Sequence, residues 1–386
     1  MGSDGKAFTA GGGVGNATSV DGAVRFLDEQ GRWAPSGDVA PFRAAAEALN
    51  VEMLRGFYRE MALTRRLDVG STALQRQGEL ALWIPSFGQE AAQTGSAHAL
   101  SPKDTIFPSY REHGVALARG IDFVDVLAVL RGNTYRGWDP EATRFRLHTI
   151  VLAAQTLHAA GYGMGINLRR AAGNAEAHDE AVIVYVGDGA MSEGDASEAL
   201  VFARTYDAPV LFFVQNNQYA ISTPVATQTA VSYADRARGF GIPGYRIDGN
   251  DVIATYAVTK TVMDRVRSGG GPALIEAVTY RLGPHTSSDD PTKYRDANMH
   301  AEWEARDPVP RLEAYLRANG THDAFFEQLR RDNEAAAMDV RERLLALPDP
   351  PPSAMFDHVY SDPHPVMAAE REWLEAYDTS FVQADD

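Results

Sequence analysis

Apolar positions change rhythm along this chain, and each rhythm predicts a kind of element. From Val51 the residues Met53, Leu54, Phe57, Met61 and Leu63 recur mostly at intervals of three to four, the period of an amphipathic helix. A second helical stretch runs from about Val151 to Ala171. Three short, continuous apolar runs follow: AVIVYV at 181–186, PVLFFVQ at 209–215 and PALIEAVTYRL at 272–282. Runs of this kind predict strands buried on both faces. Helical periodicity fills the intervals between them, over 192–206 and 252–268. Strands apolar on both faces and joined by helices predict an α/β fold, a doubly wound parallel sheet flanked by helices. Beyond about Ala301 come two amphipathic helices, at 301–318 and 323–346, then a PDPPPS break at 348–353 and a helical tail.

This pattern divides the chain into an arm at 1–48, an α/β domain at 49–300 and a helical extension at 301–386. The arm is rich in Gly and Ala, with GGGVG at 11–15, and has few apolar groups to bury. It is expected to be mobile or draped over a partner. There is no internal repeat.

Composition narrows the chemistry. The chain has 386 residues, 45% of them hydrophobic, and a formal charge of −16 that opposes binding to a phosphate backbone. A nucleic acid partner is therefore not expected. With no cysteine, thiolate metal sites, disulfides and cysteine nucleophiles are excluded. No apolar run approaches the roughly 18–20 residues of a membrane span, and no basic-then-apolar leader opens the chain, so a cytoplasmic protein with no membrane partner is expected. Met1-Gly2 opens like a myristoylation signal, but Lys6 stands where Ser or Thr is required.

Three polar clusters each follow the end of a predicted strand: GDGAMSEGD at 187–195, NNQYAIST at 216–223 and GPHTSSDD at 283–290. In a parallel sheet the three lie on one edge, where such sheets bind ligands. Alone, GDG reads as a turn and NN as a loop with a helix cap. Together they match the thiamine diphosphate motif, because Asn217 follows Asp188 by 29 positions, enough for one helix and one strand. Magnesium takes hard oxygen ligands in an octahedron, and Asp188, Asn217 and the backbone of Tyr219 supply a suitable set. Gly187 and Gly189 let the backbone approach a diphosphate, and a helix starting near Ser192 presents its N-terminus to negative charge.

From about residue 50 to 360 the chain resembles the alpha subunits of the branched-chain 2-oxoacid dehydrogenase and pyruvate dehydrogenase family. RQGELALW, FGQEAAQTGSAHAL, FPSYREHG, VGDGAMSEGDASEAL, QNNQYAISTPV, IDGND and LIEAVTYRLGPHTSSDDPTKYR carry the resemblance. It implies a thiamine-diphosphate-binding fold, with Mg2+ held by Asp188, Asn217 and Tyr219. It implies cofactor contacts from Tyr110, Arg111, Leu152, Gly189, Ala190 and Gln215 as well, and a catalytic His285 on a loop that reaches the reactive end of the cofactor. A guanidinium at Arg111 suits phosphate oxygens. Asp289 and Asp290 are read as shaping the His285 loop by local hydrogen bonds. Tyr294 and Arg295 are read as ordering it. GYGMG at 161–165 sits in a helical pattern and is read as close helix packing, not a nucleotide fingerprint.

The resemblance further implies a separate beta subunit that carries the activating glutamate, an α2β2 heterotetramer, and transfer of the acyl group to a lipoyl-bearing acyltransferase. The substrate implied is a small 2-oxoacid, with branched-chain acids favoured over pyruvate and acetoin third. Two departures bear on detail. Gln215 stands where some relatives have Arg, and Ile150 to Gln155 reads IVLAAQ where others have Ser-Pro-Leu-Ala-Thr-Gln, so a potassium site is not expected. Thr286 stands where animal relatives have a regulatory serine, and kinase control is not implied. A silent scaffolding subunit is opposed by the intact Asp188, Asn217 and His285. A phosphatase with Asp188 as nucleophile is opposed by Gly189-Ala190, where its second aspartate is needed.

Overall fold

The computed structural model describes residues 19–134 and 137–382. Among them nine strands form: β1 (Arg25–Leu27), β2 (Trp33–Ser36), β3 (Thr105–Phe107), β4 (Val182–Gly187), β5 (Val210–Asn216), β6 (Tyr219–Ala220), β7 (Thr223–Pro224), β8 (Gly244–Asp248) and β9 (Ala273–Val278). Five of them make one parallel sheet in the order β3-β4-β5-β9-β8, so the carboxyl ends of β4, β5 and β9 share one edge. The three predicted strands are its centre.

Side-chain alternation explains the double winding. Val182, Val184, Val186, Val210, Phe212 and Val214 point to one face, where they pack on the helices Ala154–Ala171 and Gly194–Thr205. Ile183, Tyr185, Leu211, Phe213 and Ile275 point to the other and meet the helix Val252–Arg267. All of these strand residues are essentially fully buried, which is why the sequence shows continuous apolar runs there. Asp251 caps the Val252–Arg267 helix, accepting from Ile253 N at 3.0 Å.

Residues 19–48 differ from the expected mobile arm, while residues 1–18 lie outside the described residues. Val24 bridges to Ile247 beside the sheet edge, and Val24, Phe26 and Leu27 are buried. The backbone amides of Phe26 and Leu27 donate to Asp251 Oδ2 at 2.6 and 2.8 Å. A few well-placed apolar residues are therefore enough to dock a segment of low average hydrophobicity.

The helices Pro308–Ala318 and Asp323–Leu345 lie against the long helix Val51–Arg76, which is capped by Asn50. Leu312 and Phe326 join the main core, and Ala337, Val340 and Leu344 pack with Leu67 and Leu74. The tail helix Pro365–Val382 leaves Val366, Trp373, Tyr377 and Phe381 exposed. No helix among the described residues is long and apolar enough to cross a membrane.

Candidate functional site

The three polar clusters meet where the topology puts them. β4 ends at Gly187 and delivers Asp188, which is 1% exposed. β5 ends at Asn216 and delivers Asn217 beside it. Gln218 then takes a left-handed φ of 75°, and the β6–β7 hairpin turns the Tyr219 carbonyl back toward the sheet edge. That hairpin closes on the GDG turn: a Cβ at Gly189 would stand 2.7 Å from Ala220 Cβ, so glycine is required there by space. A 3-10 turn at Ala190–Ser192 precedes the helix, which starts at Gly194, two residues later than expected.

Three oxygens converge as a result. Asn217 Oδ1 lies 3.3 Å from Asp188 Oδ1 and 3.1 Å from Tyr219 O, with no hydrogen between them to share. Turned over, the amide would donate its nitrogen to both, and would lose its bonds to Gln89 Oε1 and from Tyr219 N. The orientation present suits a hard cation instead, because neighbouring ligands in a Mg2+ octahedron with metal–oxygen distances of about 2.1 Å stand roughly 3 Å apart. Burial pushes the Asp188 carboxyl up from its ordinary value, against a hydrogen bond from Gln228 Nε2 at 2.9 Å on its other oxygen. A divalent charge would reverse that penalty.

His285 stands across the site on the loop after β9. Its Nδ1 accepts from Arg111 Nη2 at 3.2 Å and Arg281 Nη1 at 3.3 Å. A guanidinium cannot accept, so Nδ1 must be bare and the neutral ring carries its hydrogen on Nε2. Burial, with Arg111 and Arg281 alongside, holds the imidazole down at about 3. Burial also draws the Arg111 guanidinium down to about 10, which leaves it charged at neutral pH. Arg111 is anchored by the carbonyls of Pro85 and His285. Tyr110 sets its ring perpendicular to that of His285, at 6.3 Å between centroids. Asp289 Oδ2 accepts from His285 N at 2.7 Å and from the Tyr294 hydroxyl at 2.5 Å, and Ser287 N donates to Trp83 O at 2.8 Å, so the loop is tied at both ends of its bend.

All ten residues that the sequence assigned to cofactor or catalysis line one cavity of about 430 Å³. They do not all face it in the same way. Gln215 is committed to its neighbours: its Nε2 donates to Glu112 Oε1 at 2.6 Å, and its Oε1 accepts from Gln93 at 3.3 Å. Leu152 is at the mouth, 41% exposed, beside the exposed Ile150 and Val151.

Three further cavity residues escaped the sequence reading. Arg281 donates to the carbonyls of Tyr219 at 3.0 Å and Ile221 at 2.7 Å, holding the hairpin in place. Gln89 accepts from Asn217 Nδ2 at 3.3 Å, and Glu112 anchors Gln215. Arg281 was legible as a charge at the end of an apolar strand run, but nothing local marks Gln89.

The comparisons with known proteins agree with this geometry. The family described as "Dehydrogenase E1 component" matches residues 58–343. The chain is 43% identical to the 3-methyl-2-oxobutanoate dehydrogenase subunit alpha of Mycobacterium tuberculosis, over 89% of this chain and 92% of that one. It is 40% identical to the pyruvate dehydrogenase E1 component subunit alpha of Staphylococcus epidermidis and of Staphylococcus aureus, over 77% of each chain. Motifs, fold and relatives therefore converge: this chain belongs to the dehydrogenase E1 component family, the thiamine-diphosphate-dependent part of the 2-oxoacid dehydrogenases.

Proposed function

We propose that the chain is the alpha subunit of a branched-chain 2-oxoacid dehydrogenase, acting on 3-methyl-2-oxobutanoate together with a beta subunit in an α2β2 assembly and passing the acyl group to a lipoyl-bearing acyltransferase. The observation that carries the site reading is the set of three converging oxygens. One carboxylate, one amide oxygen and one carbonyl make a hard donor set that fits Mg2+ and leaves room for phosphate oxygens in the same shell. The choice of substrate rests on the 43% identical relative, whose name specifies it.

Bound thiamine diphosphate supplies the electron sink that allows carbon dioxide to leave a 2-oxoacid. The chain's own residues supply position and charge. Asp188, Asn217 and Tyr219 would hold the cation, and the bare backbone of Gly187 and Gly189 would let a diphosphate approach. Arg111 brings positive charge to the same cavity, and Tyr110 packs against the ring it must orient. His285, neutral and protonated on Nε2, offers an N–H donor to whatever reacts above it. The exposed Ile150, Leu152 and Ile221 at the cavity form an apolar rim suited to burial under the partner subunit.

Steady-state turnover of the co-purified alpha and beta chains on 3-methyl-2-oxobutanoate and on pyruvate tests both claims. The expected result is a higher kcat/KM for the branched acid and no turnover by beta-free chain. Preference for pyruvate, the substrate named by the 40% identical relatives, would move the assignment to that class. Turnover by the isolated chain would contradict a shared site.

A further inference from the structure

We propose that Gln89 is a positioning residue for the cation site: it sets the orientation of the Asn217 amide and so makes Asn217 a ligand through oxygen. The proposal deepens the magnesium reading above and rests on it.

A primary amide has two orientations that differ only in which atom faces which neighbour. In one, Asn217 Oδ1 joins Asp188 Oδ1 and Tyr219 O; in the other, its nitrogen donates to both, at 3.3 and 3.1 Å. The second gains those two hydrogen bonds and gives up two others, from Asn217 Nδ2 to Gln89 Oε1 at 3.3 Å and from Tyr219 N to Asn217 Oδ1 at 3.5 Å. A cation requires the first. What the protein offers on the opposite side of the amide is Gln89 Oε1, 3.3 Å from Asn217 Nδ2. In the ligating orientation this carbonyl accepts a hydrogen; in the other, Gln89 either turns over as well or faces Asn217 Oδ1 acceptor against acceptor. The two amides are coupled, and an acceptor at position 89 favours the orientation the cation needs.

Gln89 is built for that role. It is fully buried and lines the cavity at the start of the helix Glu90–His98. Its backbone is held by Gln89 N donating to Ser86 O at 2.9 Å. Gly88, with φ 96°, sits so close to β9's continuation that a Cβ there would lie 2.3 Å from Tyr280 O. Gln89 Nε2 is buried with no partner, so among the described residues the bond from Asn217 is the one hydrogen bond of this side chain. Partners that orient a metal ligand in this way commonly contribute 10–100-fold to metal affinity.

The test uses the alpha–beta assembly with saturating thiamine diphosphate and Mn2+ as the probe, free Mn2+ being read by electron paramagnetic resonance. Gln89→Met keeps the volume and removes the acceptor; Gln89→Glu keeps an acceptor and removes the donor. The expected result is Mn2+ binding weakened roughly 10–100-fold in Gln89→Met but within a few-fold of the parent in Gln89→Glu, with the metal-free thermal midpoint little changed in either. In an Asn217→Asp background, Gln89→Met should have no further effect, because a carboxylate presents oxygen whichever way it turns. Loss of the same size in both backgrounds, or in Gln89→Glu, would overturn the proposal, since it would report packing and not amide orientation. Parent-like binding by Gln89→Met alongside a loss in Asp188→Ala would also overturn it while sparing the metal site. Parent-like binding by Asp188→Ala would overturn the site reading itself.

Discussion

His285 and Asp188 sit in one cavity yet answer to opposite electrostatics. Burial pushes the Asp188 carboxyl up, a penalty that the proposed cation would reverse, whereas burial and the two guanidinium groups that donate to its Nδ1 keep His285 neutral. Binding and chemistry should therefore separate. Both arginines keep carbonyl partners without the imidazole, Pro85 and His285 backbone for Arg111, Tyr219 and Ile221 for Arg281. His285→Ala should leave thiamine diphosphate and Mg2+ affinity within a few-fold while complex activity falls by roughly 10²–10⁴, the range for one acid–base or electrostatic group. Loss confined to cofactor affinity would make His285 a phosphate ligand instead. In the cofactor-free protein the His285 ring, held at about 3, should show no titration of its proton resonance between pH 5 and 8.

At the scale of elements, the loop after β9 is a knot of short-range bonds centred on Asp289. Its carboxylate holds both the His285 amide and the Tyr294 hydroxyl, and Arg281 donates to that same hydroxyl at 3.0 Å. Asp289→Ala should loosen residues 283–293, increasing limited proteolysis there with and without cofactor, and lower activity without a matching loss of metal affinity. Cleavage unchanged from the parent would show that the loop does not depend on this hub. The same elements show what the sequence could and could not reveal. β4, β5 and β9 were legible because central parallel strands are buried on both faces and leave unbroken apolar runs. The edge strands were not: β3 has three residues and β8, GYRID, is half polar because one side meets no strand. The site residues of the GDG and NN clusters were legible because each stands at a strand end, and those of GPHT because the apolar run of β9 continues past the strand's end at Val278 to Leu282. Gln89 and Glu112 were not, since their roles come from contacts 128 and 103 residues away in sequence.

Over the whole molecule, burial of neutral histidines links the fold to pH. Burial holds His113 at about 3 and His148 at about 4, against an ordinary value of 6.5, and their rings meet edge to face at 6.0 Å beside Trp83 and Trp138. The unfolded chain protonates near pH 6.5 while the folded chain stays neutral, so the unfolded state binds more protons in between. The stability these groups contribute is full above about pH 6.5 and is lost as pH falls through the folded values. Asp68, which burial pushes up to about 7, acts in the opposite sense over the same window, so the contribution is read as a difference: between pH 7.5 and 5 the urea midpoint of His113→Gln should fall less, or rise more, than the parent's, and an unchanged difference would remove His113 from the account. The arm at 19–48 belongs to this scale too, because docking by Val24, Phe26 and Leu27 depends on partners more than 200 residues distant and leaves no local periodicity to read. What binds these scales together is the proposed cation site, which joins two strand ends and a hairpin. Calorimetric titration of thiamine diphosphate with Mg2+ into the alpha–beta assembly, parent against Asp188→Ala, tests it most directly. Affinity should fall by well over tenfold, about 1.4 kcal/mol or more, with the fold intact; affinity equal to the parent's would contradict a cation held by Asp188.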